Sequence, residues 1–100
     1  MPKCTTIFES AFYSCQALTS ISIPECTMIK SYAFYACFNL KSINLPKCSS
    51  IDMRVFTQCF NLSSISLPLC EYIGSNAFES CHALRELNLP KCTYIGSSAF

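Results

Sequence analysis

The stretch Leu-Pro-Lys-Cys stands at residues 45–48 and again at 89–92, with near-copies Ile-Pro-Glu-Cys at 23–26, Leu-Pro-Leu-Cys at 67–70 and Met-Pro-Lys-Cys at 1–4. Measured between the prolines (Pro2, Pro24, Pro46, Pro68 and Pro90), every interval is 22 residues. Cys4, Cys26, Cys48, Cys70 and Cys92 keep that step, as do Cys15, Cys37, Cys59 and Cys81, and these two series hold all nine cysteines. Further columns run through Ile7, Ile29, Ile51, Ile73 and Ile95, through Phe12, Phe34, Phe56, Phe78 and Phe100, and through Leu18, Leu40, Leu62 and Leu84. The unit reads P-x-C-x-x-I-x-x-x-A-F-x-x-C-x-x-L-x-x-I-x-L, with Val55 the one exception in its Ala column. A fixed period with apolar columns and no insertion is the signature of a solenoid, in which each unit closes its core only against its neighbours. Units 2–23, 24–45, 46–67 and 68–89, with a partial 90–100, make one domain spanning 1–100.

Within a unit, Ile21-Ser22-Ile23, Ile43-Asn44-Leu45, Ile65-Ser66-Leu67 and Leu87-Asn88-Leu89 alternate apolar and polar, which is strand periodicity. Proline follows at once and, lacking an N–H, ends the ladder. Stacked units place these strands in parallel at ~4.8 Å. In the other half of the unit, Ser31, Ser75 and Ser97 precede Ala-Phe and read as N-caps of one or two helical turns. Glu9 and Met53 replace that serine elsewhere.

The frame Leu40-Lys-Ser-Ile43-Asn-Leu45-Pro-Lys-Cys48 resembles the leucine-rich repeat frame, and the continuation Tyr72-Ile-Gly-Ser-Asn-Ala-Phe-Glu-Ser-Cys81 resembles its BspA-like (Treponema-type) subclass. The resemblance covers essentially the whole chain. It implies an α/β solenoid: a right-handed leucine-rich repeat stack with parallel β-strands on the concave face and short helical turns opposite. The unit is one residue shorter than that subclass usually shows. Phe8, Lys30 and Asp52 stand where the later units have glycine, so those positions must avoid the positive φ glycine permits. The resemblance further implies surface adhesion and host-protein binding.

Composition narrows the function. Net charge is +1, with Lys and Arg scattered singly, so there is no footprint for nucleic acid. No run approaches the ~20 apolar residues of a membrane span, so no membrane insertion is expected. The opening residues lack an apolar signal core. The cysteines show no C-x-x-C, and His82 is the only histidine, so metal-ligand spacing is missing and no cofactor is expected. Structural thiols are the main reading, ahead of disulfides and then of metal or redox chemistry. Free thiols favour a reducing compartment, whereas the resemblance favours the cell surface or secretion. His82 and Asp52 fall at different points of the repeat, which gives no catalytic arrangement and argues against an enzyme.

What remains is a non-catalytic binding module for a protein or a glycan, or alternatively a structural spacer or self-assembling stack. The outward strand positions form the candidate ligand face: Ser20, Ser22, Ser42, Asn44, Ser64, Ser66, Glu86 and Asn88, bordered by Lys41 and Arg85. Tyr32, Tyr35, Phe38 and Phe60 lie outside the core columns and offer a competing convex or lateral patch. Neither end carries a polar cap, so the chain reads as part of a longer array, or as one that self-associates end to end.

Overall fold

A computed structural model describes residues 4–85 and 87–100. The strands in chain order are β1 (Thr6–Ile7), β2 (Ser20–Ser22), β3 (Met28–Ile29), β4 (Ser42–Asn44), β5 (Ser50–Ile51), β6 (Ser64–Ser66), β7 (Tyr72–Ile73) and β8 (Tyr94–Ile95). They form two parallel sheets along the stack. The order is β2-β4-β6 in one and β1-β3-β5-β7-β8 in the other. Register follows the repeat, with Ser20, Ser42 and Ser64 aligned in the first sheet and Ile7, Ile29, Ile51, Ile73 and Ile95 in the second.

The quoted tetrapeptide is the corner between the sheets. In Leu45-Pro46-Lys47-Cys48 the Cys48 N–H donates to the Leu45 carbonyl at 3.3 Å, and Cys26 closes the same turn on Ile23 at 3.1 Å. Proline takes the second position, where its fixed φ is already correct. The cysteine thiol then donates to the carbonyl two residues on: Cys26 to Met28 at 3.5 Å, Cys48 to Ser50 at 3.4 Å and Cys70 to Tyr72 at 3.4 Å. Proline bends the chain, and cysteine supplies both the N–H and the S–H that hold the bend.

The core lies between the sheets and the turn-rich return. Phe34, Phe56 and Phe78 are buried and stack ring on ring at 5.4 and 5.3 Å, with Phe12 half-buried against Phe34. Phe100 continues the stack at 5.4 Å but is 60% exposed. Ile29, Leu40, Leu45, Ile51, Leu62, Leu67 and Ile73 fill the remaining columns.

Three expectations change. Among the described residues there is no helix, so the return is not helical and Ser31, Ser75 and Ser97 are not N-caps. Alternate N–H groups of the return point two ways. Ala11, Tyr13 and Cys15 donate three residues back within the rung, while Ser10, Phe12 and Ser14 donate to Ser31, Ala33 and Tyr35 of the next rung. A helix would send them all along its own axis, and one turn of helix repays little of its nucleation cost. Rung-to-rung bonding wins, at the expense of left-handed backbone in two columns. Ser10, Tyr32, Arg54, Asn76 and Ser98 form one of these, and Ser14, Ala36, Gln58 and Ser80 the other, with φ between 55° and 64°.

Secondly, Leu87-Asn88-Leu89 adds no fourth strand to the β2-β4-β6 sheet. Thirdly, neither glycine has positive φ. A Cβ on Gly74 would stand 2.5 Å from the Met53 backbone nitrogen, and one on Gly96 would stand 2.6 Å from that of Ser75. Glycine there permits close approach of rungs and not an unusual dihedral.

Candidate functional site

The β2-β4-β6 sheet brings six of the expected residues together. Ser20 and Ser22 project from β2, Ser42 and Asn44 from β4, and Ser64 and Ser66 from β6, in register. Between them Ile21, Ile43 and Ile65 turn inward to the core, Ile43 fully and the other two partly buried. All six polar residues line one open groove of about 360 Å³. Asn88 is exposed but lies beyond the last strand of this sheet, and Glu86 lies outside the described residues. Lys41 and Arg85 are exposed and do not line the groove.

Several hydroxyls and amides outside this face are committed to the neighbouring rung, while others among the described residues, such as Ser31, Ser75 and Asn76, make no side-chain bond. Thr27 donates to the Thr5 carbonyl at 3.2 Å, Ser49 to Thr27 at 3.1 Å, Asn39 to Gln16 at 2.7 Å and Asn61 to Phe38 at 2.8 Å. Asn61 is the acceptor of the sequence's one glycosylation sequon, and its amide is already engaged. Among the described residues, no such bond is made by the side chains of Ser20, Ser22, Ser42, Asn44, Ser64 or Ser66. Their backbones are pinned in a ladder while their side chains face water unpartnered.

The competing aromatic patch divides in two. Tyr13, which sequence reasoning did not include, stacks on Tyr35 at 5.1 Å, and Tyr32 tilts against both at 6.4 and 5.4 Å. Phe38 and Phe60 stack at 5.2 Å, and His82 extends that ladder at 5.7 Å, so this imidazole is an exposed member of a surface stack. The 22-residue step carried both signals, since Tyr13 and Tyr35 share a column, as do Phe38, Phe60 and His82.

The second cysteine series bonds between rungs. Cys37 donates to the Phe12 carbonyl at 3.1 Å, Cys59 to Phe34 at 3.2 Å and Cys81 to Phe56 at 3.1 Å. All nine thiols are free. Burial pushes Cys37 and Cys70 up to about 11 and Cys81 up to about 12, and it drives Cys59 higher still. The Cys48 thiol beside Cys26 draws it down to about 7 against the opposing effect of burial, and the same contact, with burial, pushes Cys48 far up. Among the described residues, no group of three His, Cys, Asp or Glu side chains is placed to hold a metal. Asp52 and His82 line different depressions, Asp52 beside Phe8, Glu9, Lys30 and Ser31, and His82 beside Phe78, Ser80 and Phe100.

Comparison with known proteins agrees with this architecture. A family model described as a BspA type leucine rich repeat region (6 copies) matches residues 2–100. The chain is similar in structure to a leucine-rich repeat protein of T. pallidum, with a TM-score of 0.90 and 32% identity over 95% of this chain and 46% of that one. It is also similar to a leucine-rich repeat protein from Bacteroides ovatus, with a TM-score of 0.75 and 26% identity over 96% of this chain and 32% of that one. A third likeness is to a leucine rich cell surface protein from Faecalibacterium prausnitzii, with a TM-score of 0.65 and 26% identity over 83% of this chain and 28% of that one. The chain therefore spans about half, or less, of the length of these structures. No curated protein matches it.

Proposed function

We propose, from the premise that this chain belongs to the BspA-type leucine-rich repeat family, that it is a non-catalytic binding module whose concave face takes a protein or glycan ligand, in the service of adhesion at a cell surface. The observation that carries this reading is the set of six polar side chains held in register along the groove with no partner in the protein. A fold that needed those groups for itself would spend them on the next rung, as it does with Asn39 and Asn61. Binding sites on strands are also more exactly positioned than sites on loops. The likeness to a cell surface protein supports the adhesive role. The groove offers none of the Tyr, Trp or Arg anchors of tight interfaces, so affinity comes from repetition along the stack.

The test is retention on immobilised gelatin and on immobilised polysaccharides, using two double variants. Asn44→Arg with Ser66→Arg fills the groove and is expected to abolish retention. Tyr35→Ala with Phe38→Ala removes the aromatic patch and is expected to spare it. The opposite pattern moves the site to the aromatic side.

A further inference from the structure

Resting on the concave reading, we propose that the ligand is a neutral glycan chain laid along the solenoid axis, one sugar unit to each rung. Three observations converge. The first is charge: none of the eight residues lining the groove carries any, so a sulfated glycan, a polyacid or a nucleic acid finds no ion pair there. The second is hydrogen-bond type. Five hydroxyls both donate and accept, and the Asn44 carboxamide does so through separate atoms, which is the complement of a sugar edge.

The third observation is periodicity. Register stacks Ser20 on Ser42 on Ser64, and Ser22 on Asn44 on Ser66, as two ranks repeating at the strand spacing of ~4.8 Å. Within a strand the ranks are two residues apart, about 7 Å, wide enough to address both edges of one pyranose ring. A β-1,4-linked hexose chain advances by close to one rung per sugar, with alternate sugars turned over, so each unit meets one pair of neutral polar groups at the same spacing. An extended peptide on the same axis repeats at about 3.4 or 6.8 Å and falls out of step after one rung. No aromatic ring lines the groove, so binding is weak per unit and must accumulate along the chain.

The experiment is an NMR titration of the chain with neutral β-1,4-linked gluco-oligosaccharides of increasing length, alongside gelatin peptides and heparin-type oligosaccharides. Amide shifts are expected in β2, β4 and β6, with affinity rising about tenfold from disaccharide to tetrasaccharide, the factor that corresponds to one or two further net hydrogen bonds. Ser42→Ala with Ser64→Ala, which removes hydroxyls without adding bulk, is expected to flatten that length dependence. Asn44→Arg with Ser66→Arg is expected to abolish binding. Gelatin binding that the arginine variant destroys, without oligosaccharide binding, overturns the glycan proposal and leaves the concave site standing. Preference for the heparin-type chain also overturns it. Ligand shifts confined to residues outside the concave strands overturn both readings.

Discussion

The two cysteine columns have the same residue, period and sequence contrast, yet do different work. At the proline corner, the Cys26, Cys48 and Cys70 thiols donate two residues ahead and hold a bend inside one rung. In the return, the Cys37, Cys59 and Cys81 thiols reach back 25 residues and tie each rung to the one before. A periodic column thus fixes where a side chain sits in the rung but not whether it serves that rung or the joint between rungs. Both uses follow from cysteine as a small hydrophobe with a weak donor.

Alkaline pH gives the largest expected effect, since burial raises thiols in both columns. A thiol whose folded value is raised stays protonated after the unfolded chain has ionised, so its stabilisation is complete below the ordinary value of 9.0 and is lost as pH rises toward the folded value. For Cys37 and Cys70 that window runs from 9.0 to about 11, and each contributes a slope of about 1.4 kcal/mol per pH unit within it. Cys59 has the same sign over a longer window. The urea midpoint is expected to fall steeply above pH 9. Cys37→Ala with Cys59→Ala removes two thiols raised mainly by burial and should flatten that slope more than Cys70→Ala, which removes one. Equal slopes in the two variants would mean that the joint thiols are not the ones held protonated.

Phe56 lies on the between-rung side: its carbonyl receives the Cys81 thiol, and its ring stacks between Phe34 and Phe78. Phe56→Ala is expected to cost ~3–5 kcal/mol in denaturant unfolding, the range for a buried aromatic. Hydrogen exchange should show the return loosening more than the proline corners. A loss below about 1 kcal/mol would mean that the ring does not hold the joint.

How much of this was legible follows the same division. Identical columns revealed the solenoid, the buried Phe, Ile and Leu faces and the concave ranks, because in-register stacking turns sequence period directly into contact. The helical return was misread because Ser-x-Ala-Phe matches an N-cap pattern, and nothing local reveals that Phe12 N–H prefers Ala33 of the next rung. Left-handed backbone was equally hidden. Its columns hold Tyr32, Arg54, Ala36 and Gln58, with Asn76 the single residue of a type that favours it. The strand expected at Leu87-Asn88-Leu89 kept its pattern but not its pairing. Of the ligand face, six residues were gathered as expected, and the sequence held no sign that their side chains would be left unpartnered.

Single cysteine deletions sharpen the contrast at smaller scale. Cys59→Ala removes a fully buried bond between rungs at 3.2 Å, and Cys48→Ala removes a partly buried one within a rung at 3.4 Å. The Phe34 carbonyl keeps the Cys37 N–H at 3.2 Å, so neither change strands a lone acceptor at the joint. The expected losses are about 2 kcal/mol for Cys59→Ala and about 1 kcal/mol for Cys48→Ala, a net hydrogen bond plus a small cavity in each case. Reversal of that order would make the corner, not the joint, the stronger use of the thiol.

The smallest effect is expected where the side chain serves neither rung nor joint. Ser64 stands on β6 in the groove with no protein partner, three residues after Asn61, whose amide donates to the Phe38 carbonyl of the preceding rung at 2.8 Å. Asn61→Ala should cost about 0.5–1 kcal/mol, the net value of one exposed bond between rungs. Ser64→Ala should stay within about 0.5 kcal/mol of the parent, as surface substitutions away from special features do. Both are read as shifts of the urea midpoint at neutral pH, where the thiols pushed up by burial stay protonated. If Ser64→Ala costs as much as Asn61→Ala, the concave hydroxyls are part of the scaffold, and the argument from unpartnered groups to a ligand fails with them. If it costs nothing and yet weakens retention on a polysaccharide surface, the serine is held by the fold for something outside it.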